Sequence, residues 1–287
     1  MAKNTAAAEN DLTQARALIK ECREKRNPYL DLGRCGITDL NDLPELFECN
    51  HLETLILSNE WWDFEGNNRT ESRNKGQNNK LESIPPEIAN LHNLMTLIIC
   101  GEIGNDWKIS DCSFLEKLTG LQSLYLSNNQ ISDISFLEKL TGLQSLYLSY
   151  NQISDSSFLE KLTGLQSLYL SKNQISDFSF LEKLTGLQYL YLSSNQISDF
   201  SFLEKLTGLQ SLDLSENQIS DCSFLEKLTG LQSLDLRSNQ ISDCSFLEKL
   251  TGLQSLDLCS NNISKIPLSI FLLDMERVLV SKLGLIK

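Results

Sequence analysis

Residues 121–142 read LQSLYLSNNQISDISFLEKLTG, and nearly the same 22 residues return at Leu143, Leu165, Leu187, Leu209 and Leu231. A half copy over 109–120 precedes them and a partial copy from Leu253 follows. Self-similarity at this period marks a stack of one repeated supersecondary unit. In the copy at Leu121, Ser123-Leu124-Tyr125-Leu126-Ser127 alternates with period two. That alternation predicts a strand with Leu124 and Leu126 inward and Ser123, Tyr125 and Ser127 outward. Asn129 then ends the strand, where its amide bonds the turn backbone. The S-x-x-E spacing of Ser135 and Glu138 has the form of a capping box, which predicts a short helical turn carrying Leu137 and Leu140. Gly142 permits the turn into the next strand. One copy buries too little apolar surface to offset the entropy of ordering its backbone, so copies must stack. The fold class that follows is an α/β solenoid with a concave parallel sheet and short helices or turns on its convex side.

The frame L-x-x-L-x-L-x-x-N-x-I-x-x-(apolar)-x-x-L-x-x-L-x-x resembles the leucine-rich repeat signature, in its bacterial and SDS22-like 22-residue form. The resemblance implies a non-catalytic protein-binding module that uses its concave face. Before the regular array the copies degrade. Residues 30–37, LDLGRCGI, place Cys35 in the asparagine position. Leu52, Leu55 and Leu57 open a second copy that is interrupted over 59–80 and resumes as LESIPPEI from Leu81. Leu94, Leu97 and Ile99 open a third, interrupted over 101–108. Upstream, Leu12, Ala15, Leu18, Ile19 and Cys22 recur at helical spacing and predict an amphipathic capping helix over 9–26. The expected organisation is therefore a capping region over 1–28, irregular repeats over 29–108, regular repeats over 109–266, and a cap or truncated continuation over 267–287. LDLGRCGI, a tryptophan-bearing insertion and IPPEI also resemble the leucine-rich portion of bacterial Roco proteins, where such repeats precede a Ras-like GTPase. No G-x-x-x-x-G-K-[ST] stands in this chain, so the GTPase itself is not here.

Composition narrows the function further. The 287 residues are 41% hydrophobic and carry a formal charge of −13, so a phosphate backbone is repelled and nucleic acid is not an expected partner. No apolar run reaches the length needed to span a bilayer, and no membrane partner is expected. Residues 1–25 lack an export signal's apolar core, which argues against a secreted, internalin-like adhesin. The eight cysteines form no C-x-x-C pair, so reduced thiols and a cytoplasmic location are expected. No nucleophile–base pair, phosphate loop or metal-ligand cluster stands out, so no enzyme, cofactor or metal is expected. His51 and His92 read as structural or exposed.

The candidate site lies on the strand face. From Leu121 to Gly252 the copies differ mainly at positions 3, 5, 7 and 8, around the concave sheet, and at core position 14. Position 5 reads Tyr125, Tyr147, Tyr169, Tyr191, then Asp213, Asp235 and Asp257. With strands about 4.8 Å apart, this builds a tyrosine ladder running into an acidic one. Tyr150 and Tyr189 flank the aromatic half, and Arg237 offsets part of the acidic half. Tyrosine gives large, rigid contact area at low entropic cost. Adjacent carboxylates repel, so the ladder suits a protein partner with a basic patch. A duplicated Tyr-to-Asp change is the bland alternative. Trp61, Trp62 and Phe64 in the insertion are a secondary contact or a cover for the early repeats. Self-assembly through an open edge and a regulatory arm of a Roco-like system are the rival functions, and the oligomeric state is open.

Overall fold

The computed structural model describes residues 12–63, 68–102, 109–195, 197, 199–264 and 277–279. It divides into two compact units, Met1–Ile131 and Ser132–Lys287.

The first unit starts with helix α1 (Thr13–Lys25), which buries Ala15, Ile19 and Cys22. Leu12 and Leu18 are only half-buried, so the apolar stripe is narrower than the spacing suggests. Arg26 ends the helix in the left-handed region (φ 50°), while Asn27 N donates to Cys22 O at 3.0 Å. Ion pairs Arg16–Glu45 (2.8 Å) and Arg23–Glu48 (2.6 Å) tie the helix to the first coil. His51 is structural, its Nε2 lying 3.2 Å from Cys22 O.

Strands β1 (Tyr29–Asp31) and β2 (Thr54–Ile56) precede a hairpin of β3 (Glu60–Asp63) and β4 (Asn68–Glu71). Strands β5 (Thr96–Ile98) and β6 (Ser123–Tyr125) follow. β1, β2, β5 and β6 pair in parallel in that order and align Leu30, Leu55, Leu97 and Leu124. The second coil recovers its asparagine only after the hairpin. Asn79 Oδ1 accepts from Cys35 N and Ile37 N at 3.0 and 2.9 Å, and its Nδ2 donates to Leu32 O and Leu57 O at 2.8 Å each. Asn59 is buried too, accepting from Arg34 N and Asn79 N. The interruption proper is thus 60–78, because both flanking asparagines belong to the core. Gly33 permits this packing: a Cβ there would stand 2.1 Å from Ser58 O.

In the second unit β7 (Ser145–Tyr147), β8 (Ser167–Tyr169), β9 (Tyr189–Tyr191), β10 (Ser211–Asp213), β11 (Ser233–Asp235), β12 (Ser255–Asp257) and β13 (Arg277–Leu279) form a parallel sheet in chain order. Leu146, Leu168, Leu190, Leu212, Leu234 and Leu256 share one register line, as a fixed 22-residue step requires. An asparagine column runs beside it. Asn173 Nδ2 donates to Leu148 O and Leu170 O at 3.0 Å each, and its Oδ1 accepts from Ile153 N at 3.1 Å. Asn239 repeats the full pattern and Asn217 repeats its two Nδ2 donations, to Leu192 O and Leu214 O, so each asparagine staples its coil to the one before.

Two expectations for the opposite side are corrected. The S-x-x-E spacing makes no capping box; each SFLEK forms a five-residue 3-10 turn, as at Ser135–Lys139 and Ser179–Lys183. The cap is the preceding aspartate: Asp133, Asp177 and Asp221 Oδ1 each accept from the backbone N two residues on at 2.9 Å. The glutamate instead reaches a lysine of the next coil, in Glu138–Lys161 (2.9 Å), Glu160–Lys183 (2.7 Å), Glu182–Lys205 and Glu204–Lys227. Secondly, position 16, which the frame leaves as any residue, is core. Phe136, Phe180, Phe202, Phe224 and Phe246 are buried. Where position 14 is also phenylalanine the rings stack across coils, Phe178 on Phe202 at 5.9 Å and Phe200 on Phe224 at 5.4 Å. Ser156 at that position satisfies its hydroxyl by donating to Asp177 O at 3.0 Å.

Candidate protein-binding surface

Strand alternation sends positions 3, 5 and 7 to the outer face of the sheet, but the structure does not leave them equally open. On β7 and β8 the face is closed: Tyr147 and Tyr169 are 1% and 0% exposed, and Ser145, Ser149, Ser167 and Ser171 are buried beside them. Tyr147 and Tyr169 therefore leave the exposed ladder that the alternation implied. Their rings stack at 4.4 Å centroid separation and 12° between planes, and Tyr169 stacks on Tyr191 at 4.5 Å. Such contacts favour the aromatic run as packing, whatever else touches it.

From β9 onward the position-5 side chains become half-open, although Ser211 and Ser215 beside Asp213 on β10 stay buried. Tyr189 and Tyr191 are half-buried, and the Tyr191 hydroxyl lies 3.0 Å from Ser211 Oγ. The register sets Tyr191 beside Asp213, Asp213 beside Asp235, and Asp235 beside Asp257. These aspartates also have a structural role that the sequence did not reveal. Asp213, Asp235 and Asp257 Oδ1 accept from the backbone N of Ser215, Arg237 and Cys259 at 2.9, 3.1 and 2.9 Å. Asp31 does the same for Gly33 N at 2.9 Å in the first unit. A position-5 aspartate thus closes the strand's exit turn. Burial nevertheless holds the Asp213 carboxyl above its usual range, and burial with the neighbouring Asp213 charge pushes Asp235 up to about 6. Arg237 Nε, 3.2 Å from Asp235 Oδ2, offsets part of this. Tyr150 is 43% exposed with φ 60°, and Lys172 Nζ sits 4.9 Å from its ring centroid.

In the first unit the same face is apolar. Ile56 and Ile98 take position 5 and pack with Cys100; Trp61 and the half-buried Tyr125 lie against them. The runs Leu55-Ile56-Leu57 and Leu97-Ile98-Ile99-Cys100 break alternation, the sequence signal of a strand covered on both faces. Trp62 stays 42% exposed, while Phe64 lies outside the described residues. Among the described residues no group of three or more His, Cys, Asp or Glu side chains is arranged to hold a metal ion.

Comparison with known proteins agrees with this architecture. The chain is 33% identical to an internalin (inlF) of Listeria monocytogenes, with a TM-score of 0.69 over 85% of this chain and 64% of that one. An internalin C2 of the same organism is also 33% identical, with a TM-score of 0.61 over 67% of this chain and 82% of that one. Ras suppressor protein 1 of Bos taurus is 34% identical over 80 residues, 28% of this chain; the chain thus spans about a fifth (22%) of that relative's length. The family described as Leucine Rich repeats (2 copies) matches residues 141–183, 185–227 and 229–270, and a Leucine rich repeat family matches 107–153. Together these matches run over more than half of the chain, which therefore belongs to the leucine-rich repeat family.

Proposed function

We propose that the chain is a non-catalytic protein-binding module whose contact surface is the open strand face of β9 to β12. The observation that carries this reading is the change from aromatic to acidic along one register line, Tyr191–Asp213–Asp235–Asp257, where the face opens. The partner is a protein that lays a basic patch over the aspartates and an apolar group on Tyr189 and Tyr191. A cationic group there favours the charged form of Asp235, which burial and then the Asp213 charge disfavour, and the rings supply burial that salt does not screen. Tyr169 stacks beside Tyr191 at the edge of this surface, and Tyr147 stacks on Tyr169 in turn. Affinity capture from the native lysate with mass spectrometry supplies the partner. Replacing Asp213, Asp235 and Asp257 by asparagine should slow its association and flatten the salt dependence. Tyr189→Ser with Tyr191→Ser should mainly speed dissociation. A partner bound undiminished after both sets of changes sinks the proposal.

The cytoplasm is the proposed location. Burial pushes the thiols of Cys35, Cys49, Cys100, Cys112 and Cys222 up to about 12, which suits unreactive, reduced cysteines. Cell fractionation tests it. A second reading, an arm of a Roco-like GTPase system, rests on LDLGRCGI and IPPEI in the early coils. It requires a P-loop domain in the same reading frame or the adjacent gene.

A further inference from the structure

The hairpin of the first unit builds a second feature, separate from the strand face of β9 to β12. β3 and β4 pair Trp61 with Thr70 and Trp62 with Arg69, so successive side chains leave opposite faces. Trp61 packs toward Ile56, Ile98 and Cys100. Glu60, Trp62 and Arg69 share the other face, where the Arg69 guanidinium pairs with the Glu60 carboxylate. Arg34 holds Glu71 at 2.8 Å and fastens the hairpin to the first coil. Glu60, Trp61, Trp62, Arg69, Gly101 and Asn128 bound a cleft of about 430 Å³. That volume lies in the range of small-molecule sites, which combine aromatic walls with a few polar groups.

The chemistry of the lining selects among ligands. Glu60 and Arg69 neutralise one another and Arg34 holds Glu71, so among the described residues the lining itself carries no net charge, with the Glu102 carboxylate adding its field at Arg69. An anion meets Glu60 and a cation meets Arg69, and each ligand would have to break the pair. The exposed Trp62 indole, on the face it shares with Glu60 and Arg69, gives flat apolar surface, and the Asn128 amide adds a donor and an acceptor to the lining. Gly101 leaves room for close approach to its backbone. A matching ligand has a flat C–H face, hydroxyls around its edge and no charge. We propose that the cleft binds one ring of a neutral carbohydrate, stacked on indole and hydrogen-bonded through Glu60, Arg69 and Asn128.

Saturation-transfer NMR on the intact chain tests this, with glucose, galactose, mannose, N-acetylglucosamine and their disaccharides as probes and choline and acetate as charged controls. At least one neutral sugar should receive saturation on its ring C–H protons. Trp62→Ala should weaken that sugar roughly two- to tenfold, an aromatic contact's worth. Asn128→Ala, which leaves the hairpin intact, should weaken it severalfold, and Tyr191→Ser should leave it unchanged. The proposal is overturned if no neutral sugar shows transfer, if choline or acetate binds more tightly, or if Trp62→Ala binds the sugar as before. It is overturned equally if Trp62→Ala only abolishes a concentration-dependent rise in mass, which would make the cleft a self-association surface.

Discussion

Asn173 shows how much one side chain holds. Its amide satisfies Leu148 O, Leu170 O and Ile153 N, three buried backbone groups from two coils. Asn173→Ala strands all three at about 1–3 kcal/mol each, so a loss on the order of 3–9 kcal/mol in urea unfolding is expected. A loss under about 1 kcal/mol would mean that the column is not the staple described. Asp235 behaves oppositely. Burial and the neighbouring Asp213 charge push its carboxyl up from the ordinary 3.8 to about 6, so folding disfavours its charged form. Relative stability from this group is full below about pH 4 and is lost as pH rises through 6. Asp235→Asn keeps an acceptor for Arg237 N and removes the buried charge. It should raise stability at pH 8 by about 1–2 kcal/mol, a gain that vanishes near pH 4. Thermal melts of both proteins at those two pH values check the sign.

At the scale of the element, the 3-10 turn depends on an aspartate that precedes it. Hydrogen bonds from Ser135, Ser157, Ser179 and Ser201 hold the Asp133, Asp155, Asp177 and Asp199 carboxyls below their usual range. Their contribution is present above the ordinary carboxylate range and is lost as pH falls through the depressed folded values. Asp177→Ala should therefore lower the melting temperature at pH 7 more than Ser179→Ala does, and the gap should close in acid. Equal effects at pH 7 would return the cap to the serine. The five-residue turn is too short for an α-helical capping box, whose glutamate side chain must reach back to the N-cap N–H. Drawn instead to the lysine of the next coil, that glutamate links coils.

For the molecule as a whole, the two opposed sets of aspartates put the pH of greatest stability between the ordinary carboxylate range and about 6, where Asp235 is protonated and the turn caps are still charged. Each coil touches chiefly its neighbours, so damage should spread along the stack rather than everywhere at once. Leu168→Asp buries a carboxylate at a position with 0% exposure, whereas Gln166→Asp places one at the surface. Hydrogen exchange should show amides of β7 to β9 losing protection in Leu168→Asp before those of β11 and β12, with Gln166→Asp close to the parent. Uniform loss throughout the second unit would contradict nearest-neighbour stability.

The repeat determined the coil, the inward leucines and the parallel sheet, because a 22-residue step brings like residues into register whatever surrounds them. The alternation also marked the outward set, from Tyr125 to Asp257. Sequence could not say which members of that set meet solvent. Tyr147 and Tyr191 occupy equivalent positions, yet one is closed off and the other half-open, since burial depends on what the folded chain brings over each strand. Nor could spacing show that Asn79 completes a coil opened by Leu55, because the intervening hairpin hides the partnership until hydrogen bonds to Leu32 and Leu57 close it. Local pattern fixes which way a side chain points within its own coil. Only tertiary structure decides what lies against it, because those neighbours come from segments distant in the chain.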